Sequence, residues 1–199
     1  MNLSEFSALL AFATAMSFTP GPNTLLSSAL AANGGLAHAM RFVVAVPFGW
    51  TLLLLLCSLG LGTVVTANPA LRSTLVGLGV AAMLWMAWQL ARRREMASVP
   101  ESRLRVTFWQ GVLFQFVNLK AWLMALVISA TWVAVDGELG LRLLQVAPVI
   151  MAYAFASNFC YALAGSMLRG WLAQGQRLLV FNRLMATLLA VTALWMFRL

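Results

Sequence analysis

The sequence predicts an all-α integral membrane protein: six transmembrane helices arranged as two inverted three-helix repeats, the first helix broken at Pro20-Gly21-Pro22. Three observations carry this. Hydrophobic residues make up 62% of the chain and charged residues 9%, against roughly 25% charged in a soluble domain, so lipid has to be the solvent for most of the surface. Six uncharged or nearly uncharged runs approach the roughly 20 residues needed to cross the hydrocarbon core. They stand three and three around a basic loop, and an odd number of spans per unit inverts the second copy relative to the first. The whole chain, 1–199, therefore reads as one transmembrane domain: a repeat over 1–91, a basic cytoplasmic loop over 92–106 and a second repeat over 107–199. The runs are too long and too continuous for barrel strands, which alternate over about ten residues.

The first span covers 6–31. Met1-Asn2-Leu3-Ser4-Glu5 lacks the basic start of a signal peptide, so this span is expected to be retained. Prolines at 20 and 22 remove two backbone donors and disfavour helix in the residues before them. The carbonyls near Phe18 and Thr19 lose partners, and the amides of Asn23, Thr24 and Leu25 begin a second half-helix. Exposed backbone of this kind is tolerated in a membrane only where protein buries it or a watery cavity meets it. A half-helix start attracts a carboxylate, and freed carbonyls attract an ammonium. Together these match the two ends of an amino acid; the competing reading is a kink used only for packing.

The second and third spans cover 42–65 and 73–91, and the fourth 107–135. The fourth contains Gln115-Phe116-Val117-Asn118-Leu119-Lys120, in the position corresponding to the first break. Lys120 is the sole lysine and lies some thirteen residues into the span. A cation at that depth costs about 2.5–3.5 kcal/mol on insertion scales, so such residues usually face a cavity and mark function. No span contains an acidic residue to neutralise it, which makes an anionic group on a substrate the missing partner. The alternative is that Lys120 snorkels or pairs with carbonyls freed at the first break. The fifth span, 143–168, brings Asn158, and the sixth, 178–197, is the weakest, with 14 uncharged residues after Arg183. Snorkelling of Arg183 lets it start earlier. Transporters of this layout bind substrate at the repeat interface near the midplane, beside interrupted helices. Pro20, Gly21, Pro22, Asn23, Thr24, Asn118, Lys120 and Asn158 are accordingly the candidate substrate-binding residues. Each asparagine can also simply bond across helices, for roughly 0.6 kcal/mol.

Orientation follows the basic residues. Arg41, Arg92, Arg93, Arg94, Arg103, Arg105, Arg169, Arg177 and Arg183 fall on one side, and Arg72, Arg142 and Arg198 on the other. Both termini are therefore expected on the non-cytoplasmic side. The net charge of +8 is a topology signal and not a nucleic-acid footprint, because the arginines are scattered over loops. Cys57 and Cys160 lie in the second and fifth spans; they read as small hydrophobes, with a transmembrane thiol-disulfide relay as the rival. No Cys-x-x-Cys, histidine cluster, carboxylate pair or nucleophile-base pair is visible, so a metal, a cofactor and enzymatic catalysis are not expected.

At these residues the chain resembles the lysine/threonine exporter (LysE/RhtB-type) translocator family. The likeness rests on the Pro20-Gly21-Pro22-Asn23 stretch and the small residues running to Gly35. It continues through Gly79-Val80-Ala81-Ala82-Met83-Leu84-Trp85, Phe108 and Gly111, Asn118-Leu119-Lys120 and Asn182-Arg183, and so covers essentially the whole chain. Leu119 stands where the family has proline, which predicts a shallower second break. Ala186 replaces a common glycine, and Val46-Pro47 a small-residue stretch. The resemblance implies a bacterial inner-membrane exporter of amino acids or related metabolites driven by an ion gradient. Protons are the natural coupling ion, alternating access is the mechanism, and packing through small residues permits a homodimer. Without an intramembrane carboxylate for a second cation, a neutral amino acid is favoured over a lysine-type one. A metal-ion or anion exporter of related architecture is the remaining alternative.

Overall fold

A computed structural model describes residues 1–92, 106–134 and 138–196, which are helical with no strand among them. Arg93, Arg94, Arg103, Arg105, Asp136 and Arg198, which enter the charge count above, lie outside the described residues.

Helix α1 (Leu3–Phe18) starts at Asn2, whose side chain accepts from the Glu5 amide while Glu5 reaches back to the Asn2 amide. This reciprocal cap satisfies two otherwise orphaned donors. The helix stops where Pro20 and Pro22 withdraw their donors, and α2 (Pro22–Gly34) begins with proline in its first turn, where no donor is needed. The predicted first span is thus two helices of 16 and 13 residues, neither long enough to cross alone. A single residue, Gly35, turns the chain from α2 into α3 (Leu36–Leu56) with φ of 88°, a left-handed conformation in which side chains other than glycine's are strained.

Past α3, a π-helical segment (Cys57–Leu61) leads into α4 (Gly62–Ala67), and Asn68 then caps α5 (Pro69–Ala91). Helix α6 (Phe108–Val117) is capped by Thr107. It meets α7 (Leu119–Ile128) at Asn118 with a bend of 72°. The chain bends here without a proline; Asn118 supplies the extended residue itself, at φ −92° and ψ 100°. A second π-helical segment (Ser129–Val133) follows, then α8 (Leu139–Leu172) and α9 (Arg177–Met196). Among the described residues four helical runs are long and apolar enough to cross a bilayer, of 30, 23, 34 and 19 residues, with a fifth if the bent α6–α7 pair is taken as one span.

Helix α2 is the enclosed centre: every residue except Asn23 is buried. It packs on α8 and α3, while α3 also packs on α8 and α6, and α5 pairs with α9. Close approach needs small residues, and a Cβ on Gly165 of α8 would collide with the Ser28 carbonyl of α2. Gly79 of α5 stands in the same relation to the Val117 carbonyl, one residue before the second break. Large apolar side chains point outward instead, including Met167, Leu144 and Trp109, each more than 70% exposed. Outward apolar surface on this scale belongs against lipid.

Candidate functional site

A helical carbonyl accepts from the amide four residues on, so Pro20 orphans the Met16 carbonyl and Pro22 the Phe18 carbonyl. The structure supplies side chains at this broken end. Tyr161 of α8 donates its hydroxyl to the Phe18 carbonyl at 3.0 Å, and Lys120 of α7 donates to the Thr19 carbonyl at 2.8 Å. The lysine stem lies flat on Gly21: a Cβ there would sit 3.1 Å from Lys120 Cδ and 3.2 Å from Nζ. The Gly21 amide donates to Thr24 Oγ1 at 2.9 Å, and that hydroxyl donates back to the Gly21 carbonyl at 3.1 Å. Thr24 thereby holds the shape of the break.

Helix α2 is bound to its neighbours by buried polar pairs. Asn23 Nδ2 donates to Gln115 Oε1 at 2.8 Å, and Gln115 Nε2 donates to Asn23 Oδ1 at 3.2 Å and to the Gly111 carbonyl at 3.1 Å. Ser27 donates to Asn158 Oδ1 at 2.9 Å, and Asn158 Nδ2 donates to the Ala154 carbonyl at 2.8 Å. Asn118 differs: it is 2% exposed and its Oδ1 has no hydrogen-bond partner. A buried acceptor left unmade costs about 1–3 kcal/mol, so a donor reaching this oxygen would be favoured.

These groups surround one cavity of about 40 Å³ between the ends of α1 and α7 and the flanks of α2, α3 and α8. Seven of the eight sequence-predicted residues line it: Gly21, Pro22, Asn23, Thr24, Asn118, Lys120 and Asn158. Pro20 faces instead a separate, mostly apolar groove of about 400 Å³ between α1, α7 and α9, which Lys120 also borders. Met16, Val46, Trp50, Met124 and Ile150 form the apolar wall of the inner cavity, and no carboxylate among the described residues lines it. Since a water needs roughly 10–15 Å³ by this measure, the cavity has room for a few waters and must widen to take an amino acid.

The Lys120 partner is the freed Thr19 carbonyl, the alternative weighed from the sequence, yet the same amine also lines the cavity. The sequence reading missed Ser27 and Tyr161 as site residues. It also left Gln115 without a role, although a glutamine in an apolar span is itself a signal. Cys57 is buried and Cys160 exposed, both as free thiols. No cluster of metal-ligating side chains occurs among the described residues.

Comparison with known proteins gives the family. The family model for LysE type translocators matches residues 14–198. A cysteine/O-acetylserine efflux protein of Klebsiella pneumoniae is 29% identical over 194 residues, covering 97% of each chain. The protein of that name in Escherichia coli K12 is 26% identical over 99% of this chain and 100% of its own. The Salmonella paratyphi A protein is 27% identical over 96% of each. No solved structure matches. The chain belongs to the LysE type translocator family: it is a multi-pass transporter of the bacterial inner membrane and not an enzyme.

Proposed function

We propose that this translocator exports a neutral amino acid or a close derivative, with L-cysteine and O-acetyl-L-serine the first substrates to test. The observation that carries the proposal is the meeting of both helix breaks on one cavity holding a cation, an orphaned amide oxygen and no carboxylate among the described residues. The substrate carboxylate sits between Lys120 and the first amides of α2, where the helix end carries partial positive charge. The ammonium faces Asn118 Oδ1 and the carbonyls ending α1. An uncharged side chain meets Trp50, Met124 and Ile150. A second cationic group on the substrate would find no counter-charge.

Transport proceeds by alternating access of two inverted halves around this site. Helix pairing supports that reading. Exchanging the halves turns the α1–α8 and α2–α8 contacts into the α6–α3 and α7–α3 contacts, which are also present, and leaves α3–α8 and α5–α9 in place. The termini lie on the non-cytoplasmic side, and the proton gradient drives export. Loaded proteoliposomes test the function directly. Lys120→Ala and Asn23→Ala are expected to insert into the membrane and to lose efflux of labelled O-acetylserine at least tenfold per inserted molecule. Wild-type efflux by either variant removes that residue from the site.

A further inference from the structure

We infer that Lys120 is the resident occupant of the amine position: in the empty protein its Nζ fills the place at the end of α1 that a substrate ammonium takes, and substrate binds by exchange with it. The incoming ammonium takes the Thr19 carbonyl while Lys120 swings onto the substrate carboxylate. This rests on the amino-acid reading above and adds how the site is closed when empty.

Three observations converge on the exchange. The lysine amine is hydrogen-bonded to a backbone carbonyl and not to a side chain, so it occupies the kind of acceptor that an amino-acid ammonium uses. Its stem runs beside Gly21, where an added Cβ would come within 3.1 Å of Lys120 Cδ and 3.2 Å of Nζ, so a side chain at residue 21 would press on it. Asn118, whose buried Oδ1 has no hydrogen-bond partner, lines the same cavity. The lysine thus holds the Thr19 carbonyl and leaves the Asn118 oxygen unbonded. Its flexible four-carbon stem allows the movement.

The exchange also answers a problem that an exporter faces on every cycle. After releasing substrate, the carrier must return with its site empty, and both a bare cation and bare carbonyls are costly at membrane depth. Joined to each other, they satisfy one another during the return. The cavity is then too small for substrate, as an empty, closed carrier requires. No ion has to enter the amine position for this step.

Because Lys120 is the sole lysine, growth on ¹³C-lysine places a single side-chain signal in the NMR spectrum of the full chain in lipid nanodiscs. Gly21→Ala is expected to move that signal in the empty protein, since the added methyl crowds the stem off its path. O-acetyl-L-serine is expected to move the wild-type signal in the same direction, with the Kd that equilibrium dialysis gives, and to bind Gly21→Ala several-fold more tightly because the competitor is already dislodged. Binding by dialysis with the lysine signal unmoved overturns the exchange and leaves the transport reading standing. So does an empty Gly21→Ala signal that coincides with the wild type. If neither O-acetylserine nor any other neutral amino acid binds or is transported by wild type, both readings fail together.

Discussion

Gln115 is fully buried and gives the Asn23 amide both a donor and an acceptor while its own Nε2 is anchored on Gly111. That arrangement fixes which way Asn23 presents its remaining donor and acceptor to the cavity. Replacing Gln115 with leucine strands the Asn23 amide, so about 1–3 kcal/mol of stability should be lost, read as a fall in thermal midpoint in detergent. Apparent substrate affinity should fall with it. Asn23 and Lys120 were legible in the sequence because polar groups stand out in an apolar run. Their partners were not. Spans that are apolar on all sides carry no periodicity to fix helix rotation, so nothing in the sequence aimed Gln115 at Asn23 or turned Pro20 toward the outer groove.

The two breaks are made by different chemistry. Two missing donors end α1, whereas a single extended asparagine bends α6 from α7 by 72°. The resemblance-based expectation for the second break weighed the absent proline and could not weigh tertiary packing of the Val117 carbonyl on Gly79. Helix α1 has a further tie: Arg142 of α8 pairs with Glu5 at 2.8 Å, and Trp132 Nε1 donates to the Glu5 carbonyl at 3.1 Å. The Arg142 hydrogen bond, helped by the Asn2 amide, holds the Glu5 carboxyl below its ordinary 4.5. A carboxyl lowered on folding stabilises above its ordinary pKa, and that contribution disappears as pH falls through the lowered value. Glu5→Gln should therefore melt earlier than wild type near neutral pH, and the gap should close on acidification below 4.5. A gap independent of pH would show that the pair does not secure α1.

At the scale of the molecule, four long apolar helical runs surround the α1–α2 and α6–α7 breaks, which meet on one cavity. The composition made the membrane setting and the helical class legible, and the double proline and lone lysine marked where to look. How the spans pack required coordinates, because contacts such as Gly165 against Ser28 leave no trace beyond a small residue. The central claim is that a wet, ligand-binding pocket lies between the breaks. Its most direct test places a single cysteine at Ser157, which lines the cavity, in a Cys57→Ser/Cys160→Ser background. That background is expected to retain export under the amino-acid reading, whereas a thiol relay through Cys57 and Cys160 would lose activity. In membranes, a charged methanethiosulfonate reagent should label the new thiol, and O-acetyl-L-serine should slow labelling at least fivefold. A thiol that is inert until the protein is denatured, or one that labels at the same rate with saturating O-acetylserine, would contradict the account.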